Sequence, residues 1–167
     1  MDKIVAVVVA GIVSFAVSSG AWAQGSTASQ LVGVWQLVTD TNTPKDGAPK
    51  SGAAFGSDPK GMFIFTSDGH YSSINARSDL PKFISNNRLQ GTPEENKAIV
   101  QGSIAHFGRY TLSPDGKTLL LKAEGGTWPA WIGTEQKRDL TINGDEMKYF
   151  VNASIGGVSE LTYRRVK

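Results

Sequence analysis

The chain contains no cysteine, and this absence restricts both its covalent structure and its chemistry. Disulfide bonds are excluded, and so is attachment of a lipid to a cysteine. Only two histidines occur among the 167 residues. Because structural zinc sites are built from cysteine and histidine ligands, we predict that the protein has no metal site.

An excess of charge of one sign is also missing. The chain has 17 lysines and arginines against 15 aspartates and glutamates, which gives a net charge of +2. No basic cluster occurs that could follow a phosphate backbone. We therefore do not expect nucleic acid to be a partner.

The sequence lacks the contiguous motifs of common enzymes and cofactor sites. It has no Gly-x-Ser-x-Gly elbow, no His-Glu-x-x-His pair, no phosphate-binding loop and no dinucleotide fingerprint. We predict no cofactor on this basis. Catalysis by scattered residues stays open, because proton transfer inside a barrel needs no contiguous motif.

A long hydrophobic run occurs only near the beginning of the sequence. Residues 4–17 are almost wholly apolar, which is shorter than the ~20 residues of a membrane span, and Ser18-Ser19-Gly20 ends the run. Ala21-Trp22-Ala23 then provides a small-x-small cleavage pattern. We predict a cleaved signal peptide over residues 1–23, a single domain over 24–167, a periplasmic or secreted location and no stable membrane anchor.

The rest of the sequence has the pattern of an all-β protein. Short β-rich runs are separated by turn signals such as Ser67-Asp68-Gly69 and Asn143-Gly144-Asp145. The pattern predicts eight strands at about 31–38, 61–66, 70–77, 104–112, 118–124, 136–142, 146–152 and 158–166. Consecutive hairpins without crossover elements favour an eight-stranded up-and-down antiparallel barrel.

Two stretches interrupt the strands. Residues 39–60 are polar and rich in Gly, Pro, Lys and Asp, and we expect either a flexible surface loop or a lid over the barrel mouth. Further along, Thr92 has the position of a helix N-cap, with Pro93 at the first helical position and Glu95 placed to reach back. This pattern predicts one short inserted helix that runs to about Gln101 and stops at Gly102.

Several runs of the sequence resemble the bacterial lipocalin-like domain family. They are Leu31-Val32-Gly33-Val34-Trp35-Gln36-Leu37, Pro59-Lys60-Gly61, Thr66-Ser67-Asp68-Gly69, Ser85-Asn86-Asn87-Arg88, Gly91-Thr92-Pro93-Glu94-Glu95-Asn96, Gly102-Ser103-Ile104-Ala105-His106-Phe107-Gly108 and Gly133-Thr134-Glu135-Gln136-Lys137-Arg138. The resemblance implies a lipocalin-type β-barrel and no particular activity. It also implies that Gly33, Trp35 and Arg165 (or Arg164, if the register shifts by one) close the bottom of the barrel, with the guanidinium on the indole face.

Alternation along the strands predicts which side chains point into the barrel. The inward positions that could contact a ligand are Arg138, His106, Tyr110 and Tyr163, and Trp128 and Trp131 lie in a loop that could line the mouth or cap the core. A buried cation needs a partner. For Arg138 this is either a bound anion or one of Glu124, Glu135 and Glu160.

These residues lead to one preferred function and two alternatives. We expect the barrel to bind a small, largely apolar molecule, and an anionic head group on that molecule would explain Arg138. The first alternative is an isomerase, cyclase or hydratase whose catalytic residues are His106 and Tyr110. The second is a barrel with no internal ligand whose surface serves a protein partner. The pattern makes no prediction of oligomeric state.

Overall fold

The structure is a computed structural model in which residues 28–46, 51–52, 54–152 and 157–167 are described. The predicted signal peptide and its cleavage site lie outside the described residues, as do residues 47–50 and 53 of the predicted polar loop. Within the described ranges, no helix combines the length and the apolar character needed to cross a membrane.

The described chain forms one antiparallel sheet that closes on itself. Its strands, in chain order, are β1 (Gly33–Thr43), β2 (Ser51–Gly52), β3 (Lys60–Phe65), β4 (His70–Ala76), β5 (Ser103–Leu112), β6 (Thr118–Gly126), β7 (Glu135–Asn143), β8 (Glu146–Asn152) and β9 (Val158–Arg165). Each strand from β3 to β8 pairs with the next one in the chain, and β1 pairs with both β3 and β9. β2 adds only two residues beside β1. The predicted all-β, eight-stranded up-and-down barrel is therefore confirmed.

The inserted helix α1 (Pro93–Gly102) lies between β4 and β5 and begins as predicted. The Thr92 hydroxyl accepts a hydrogen bond from the Glu95 amide at 3.2 Å, and the Glu95 carboxylate accepts one from the Thr92 amide at 2.8 Å. These two bonds form a capping box. The other Glu95 oxygen accepts from the Ile84 amide at 2.9 Å, which ties the preceding loop to the helix.

The first strand is longer than predicted, and the prediction of a loop from residue 39 was wrong for residues 39–43. β1 continues to Thr43 and pairs with β9 along this stretch. A bulge between Leu37 and Thr39 inserts Val38 as an extra residue and shifts the alternation by one. Asp40 and Asn42 consequently face the interior. Residues 39–43, whose polar sequence predicted a loop, therefore form a strand with polar side chains directed inward.

The barrel has two unlike ends. At one end, which we call the turn end, short turns join β3 to β4, β5 to β6 and β7 to β8. At the other, the loop end, lie α1, the long β1–β3 and β4–β5 connections and the β6–β7 loop with its 3-10 helix, Pro129–Trp131. Residues 28–32, which precede β1, are at the turn end.

The turn end is closed by the three residues that the family resemblance indicated. Trp35 is fully buried, and its indole nitrogen donates a hydrogen bond to the Leu31 carbonyl at 2.8 Å. The Arg165 guanidinium lies 4.1 Å from the centre of the Trp35 ring and donates to the carbonyls of Val32 and Gln30. Gly33 has a φ of +135°, and a Cβ there would stand 2.7 Å from the guanidinium, so only glycine fits this contact.

Aromatic rings fill much of the barrel core. Phe63 stacks on Phe65 with 4.2 Å between ring centres, and it meets Tyr71, Tyr149 and Tyr163 edge-on at 5.7, 6.1 and 5.9 Å. All five are inward-facing and nearly inaccessible to solvent. The polar ends of the three tyrosines contribute to the site described next.

Candidate functional site

Polar side chains form a belt inside the barrel, between the aromatic core and the loop end. We call it the polar belt. Its members come from six strands and are Asp40, Asn42, Tyr71, Ser73, Asn75, His106, Arg138, Tyr149, Ser159 and Tyr163; all are buried. So many buried polar groups are costly unless they are hydrogen-bonded to one another or to a ligand.

Arg138 is the cation of the polar belt. Its side chain is inward on β7 and the residue is only 8 % exposed. The guanidinium donates to the Lys137 carbonyl at 2.8 Å and contacts the Gln136 amide oxygen at 3.5 Å. Its carbon lies 5.6 Å from the centre of the Trp131 ring. Burial lowers the pKa of Arg138, although a guanidinium stays protonated in proteins.

None of the three predicted glutamate partners pairs with Arg138 in the described part of the chain. Glu124 lies 3.5 Å from Arg109 on the outer surface, and Glu160 lies 3.2 Å from Lys148. Glu135 is exposed at the start of β7. Among the described residues, Arg138 is thus a buried cation whose partners are neutral oxygens and an aromatic ring.

His106 lies beside Arg138 and is held by a tyrosine rather than by a carboxylate. Its Nδ1 is 3.0 Å from the Tyr71 hydroxyl, and either atom can donate depending on the imidazole tautomer. Burial, together with the Arg138 charge, lowers the pKa of His106 to about 4. The imidazole is therefore neutral near pH 7. Burial also raises the pKa of Tyr71 to about 12, so this phenol is neutral as well.

The two tryptophans of the β6–β7 loop occupy different surroundings. Trp131 packs edge-on against the His106 ring, with 5.3 Å between ring centres, and it faces Arg138. Trp128 is 52 % exposed. Trp131 therefore covers the polar belt from the loop end, whereas Trp128 stands on the rim.

Tyr163 belongs to the polar belt through its hydroxyl. The hydroxyl donates to the Asn75 side-chain oxygen at 3.0 Å, and the ring stacks on Tyr149 at 5.6 Å. Burial raises the pKa of both tyrosines. The pair forms a rigid wall of neutral phenols across β8 and β9.

Asp40 is the buried carboxylate of the polar belt. It is 4 % exposed, and one of its oxygens accepts a hydrogen bond from the Phe55 amide at 3.1 Å. Burial raises its pKa, an effect that this hydrogen bond opposes. The other oxygen of Asp40 and the Ser73 hydroxyl have no hydrogen-bond partner among the described residues.

The structure does not bring together the residues of the predicted catalytic pair. His106 and Tyr110 share a face of β5 but are four residues apart, which corresponds to roughly 13 Å along a strand. The Tyr110 hydroxyl donates to the Thr66 carbonyl at 2.8 Å at the turn end, far from the polar belt. Tyr110 therefore has a structural contact, and the phenol beside His106 is Tyr71.

Sequence reasoning missed seven of the ten members of the polar belt, namely Asp40, Asn42, Tyr71, Ser73, Asn75, Tyr149 and Ser159. Tyr71, Ser73 and Asn75 alternate with outward residues along β4, and this period of two was a usable signal. Asp40 could not be found in the same way, because the bulge at Val38 reverses the alternation before it.

Two grooves lie on the surface of the barrel. One of 370 Å³ runs over the outer face of β8, β9 and β1, between Lys148, Glu160 and Thr41. The other, of 270 Å³, is at the turn end beside Tyr110 and Pro114. Neither is lined by Arg138, His106 or Asp40.

Comparison with known proteins agrees with this architecture. The model of a family described as the lipocalin-like domain matches residues 32–163, which is most of the chain. The protein therefore belongs to the lipocalin-like domain family.

A curated relative and two solved structures are similar to this chain. The 4'-hydroxy-3'-methoxypropiophenone carrier protein of Aspergillus oryzae is 29 % identical over 101 residues, which covers 54 % of this chain and 91 % of the carrier. A redesigned β-barrel is 19 % identical, with a TM-score of 0.42 and coverage of 84 % and 96 % of the two chains. Fatty-acid-binding protein 1 of Echinococcus granulosus is 12 % identical, with a TM-score of 0.37 and coverage of 83 % and 99 %. At these scores the two structures carry no information about what this chain binds.

Proposed function

We propose that the protein binds a small, largely apolar molecule in the polar belt, with an anionic or carbonyl oxygen of that molecule on Arg138. The observation that carries this proposal is the burial of Arg138 without a carboxylate partner among the described residues. An uncompensated buried cation costs several kcal/mol. A ligand oxygen would supply the missing charge-assisted hydrogen bonds.

The surroundings of Arg138 favour a ligand with an apolar, ring-sized body. Trp131 faces the guanidinium, and the rings of Phe63, Tyr71 and Tyr149 lie on the core side. Aromatic walls with a few convergent polar groups are typical of small-molecule sites. His106 is neutral near pH 7, so it adds a hydrogen-bonding group without a competing charge.

The carrier protein of Aspergillus oryzae supports the same class of function. Its name assigns it an aryl ketone as cargo, and its similarity to this chain covers nearly its whole length. A ketone oxygen is a neutral hydrogen-bond acceptor, like the two oxygens that Arg138 already contacts, so it could take the place of one of them. That compound therefore belongs in the first ligand panel, together with simple apolar acids.

The proposal is tested by replacing Arg138 with leucine. We expect Arg138→Leu to leave the fold intact or to stabilise it, because leucine removes a desolvated charge that has no carboxylate partner. The affinity for 3-phenylpropanoate and decanoate should fall about tenfold or more, since hydrogen bonds to charged groups contribute about 1.5–3 kcal/mol. Calorimetric titration measures the affinities, and a melting curve of each variant measures stability.

Arg109→Leu is the matched control. Arg109 lies on the outer face of β5, where its side chain is 59 % exposed, so this change removes the same charge without touching the polar belt. The control should bind the acids as the wild type does. If Arg138→Leu and the wild type bind the acids with equal affinity, Arg138 is not part of the site. If the wild type binds no compound of the panel, the proposed function is contradicted.

We also propose that the protein is exported and that residues 1–23 are removed. The support is the apolar run followed by Ala21-Trp22-Ala23. When the full chain is expressed in a bacterial host, we expect the periplasmic fraction to contain a protein that begins at Gln24. The intact mass measures this directly, and a periplasmic protein that retains Met1 would contradict cleavage.

A further inference from the structure

Besides Arg138, whose charge has no carboxylate partner among the described residues, the polar belt contains buried atoms without a hydrogen-bond partner there. Asp40 is 4 % exposed and Ser73 is 2 % exposed, yet one Asp40 oxygen and the Ser73 hydroxyl have no hydrogen-bond partner among the described residues. A buried polar atom without a partner costs about 1–3 kcal/mol, and more if it is charged. Native proteins keep such atoms rarely, so each calls for an explanation.

The orientation of the Asp40 carboxylate is fixed by its neighbours. One oxygen accepts the Phe55 amide at 3.1 Å and thereby anchors the β1–β3 connection. The bulge at Val38 turns the side chain inward, and Asp40 pairs with Leu161 on β9, the strand that also carries Tyr163. The second oxygen is therefore an acceptor directed at the same interior as Arg138.

The two charges lie on different walls of the barrel. Leu140 on β7 pairs with Tyr149 on β8, Tyr149 pairs with Leu161 on β9, and Leu161 pairs with Asp40 on β1. The backbones of Leu140 and Asp40 are therefore three strand spacings apart, which is roughly 14 Å along the wall, and Arg138 lies two residues further along β7. Tyr149 lies on β8, between the strand of Arg138 and the strands β9 and β1 on the side of Asp40.

We propose that the ligand is bipolar: an acceptor group binds Arg138, and a hydroxyl at the far end of a ring-sized apolar body donates to Asp40. This inference rests on the proposed function and narrows its ligand to hydroxylated small acids or ketones. The donor end of the site is the guanidinium, and the acceptor end is the carboxylate. A ligand with both groups in the correct order satisfies both ends at once.

Three probes that differ only at the far end test this inference. In 3-(4-hydroxyphenyl)propanoate the far end of the ring carries a hydrogen-bond donor. In 3-phenylpropanoate it carries no polar group, and in 3-(4-methoxyphenyl)propanoate it carries only an acceptor. We expect the wild type to bind the hydroxy probe about tenfold or more tightly than the other two, as measured by calorimetry, because its hydroxyl donates to a charged group.

Asp40→Asn changes the acceptor with little change in shape. The asparagine oxygen can still accept the Phe55 amide, while its NH₂ group replaces the unpaired carboxylate oxygen with a donor. The preference for the hydroxy probe should disappear or reverse toward the methoxy probe. Asp139→Asn, on the outer face of β7, removes an equal charge outside the site and should keep the wild-type preference. Circular dichroism checks the fold of both variants.

The outcomes separate this inference from the proposed function. If 3-phenylpropanoate binds through Arg138 but the hydroxyl adds no affinity in the wild type, the inference about Asp40 is wrong and the proposed function stands. A hydroxyl preference that survives in Asp40→Asn also overturns it. If no probe binds the wild type, both are wrong. The wild-type comparison decides the case even if Asp40→Asn does not fold.

Discussion

Individual residues of the polar belt owe their properties to the charges and solvent that surround them. His106 and Tyr71 are joined by a 3.0 Å hydrogen bond, and both lie near the Arg138 guanidinium. Desolvation and the positive charge both disfavour the imidazolium ion. The pair therefore stays neutral near pH 7, which leaves Arg138 as the charged group at its end of the belt.

This neutrality makes stability depend on pH. The pKa of His106 is about 4 in the folded protein and near 6.5 when the chain is unfolded. Because the unfolded state takes up the proton first as pH falls, the contribution of His106 to stability should decrease between about pH 6.5 and pH 4 and should stop changing below that range. His106 contributes up to about 3 kcal/mol to this loss. Urea unfolding at a series of pH values measures it.

Two substitutions assign the effect to one histidine. His106→Gln keeps a side chain that can hydrogen-bond Tyr71 but does not titrate, so the loss of stability between pH 6.5 and pH 4 should become smaller. His70→Gln is the control, because it replaces the other histidine, which is half-exposed at the start of β4 and lies 3.1 Å from Asp68, outside the polar belt. If His106→Gln and the wild type lose stability in parallel, His106 is not the group that titrates.

At the scale of elements, the sequence predicted those parts whose signals are local. Beside the turns Ser67-Asp68-Gly69 and Asn143-Gly144-Asp145, the predicted strand ends agree with the observed ones to within one residue. The capping box correctly predicted where α1 begins. Turn and cap chemistry involves residues only a few positions apart, so the sequence alone contains it. Strand β8 was predicted with the bounds that the structure shows.

Strand β1 shows where local signals fail. Its second half is polar, and its alternation is broken by the extra residue Val38, so neither hydrophobicity nor period indicated a strand there. Pairing with β9, more than a hundred residues away, stabilises this segment. The same bulge brings Asp40 into the site. The acceptor end of the polar belt thus depends on a long-range pairing that no local pattern contains, whereas Arg138 and His106 were found by simple alternation.

At the scale of the whole molecule, the turn end joins the first and last strands. Trp35 pairs with Arg165 across β1 and β9, and the guanidinium holds the carbonyls of residues 30 and 32 over the base of the barrel. The family resemblance indicated this closure, and the structure supplies its contacts. Because the closing pair connects the two ends of the sheet, damage to it affects the barrel as one cooperative unit.

Trp35→Ala is the test of this closure. The substitution removes the largest fully buried side chain and its hydrogen bond to Leu31, and it leaves the Arg165 guanidinium without its aromatic partner. We expect the free energy of unfolding to fall by ~3–5 kcal/mol, the usual cost of replacing a buried aromatic residue with alanine. Chemical denaturation followed by circular dichroism measures this.

Trp128→Ala is the matched control, since it removes the same side chain from the exposed rim at the loop end. Its effect should stay within about 0.5 kcal/mol, as for most exposed positions. A loss below about 1 kcal/mol in Trp35→Ala would mean that the indole and guanidinium are not what holds β1 against β9. The stability of the barrel would then reside in the rest of the core, which includes Phe63 and Tyr163, and closure of the turn end would be a consequence of the fold rather than one of its causes.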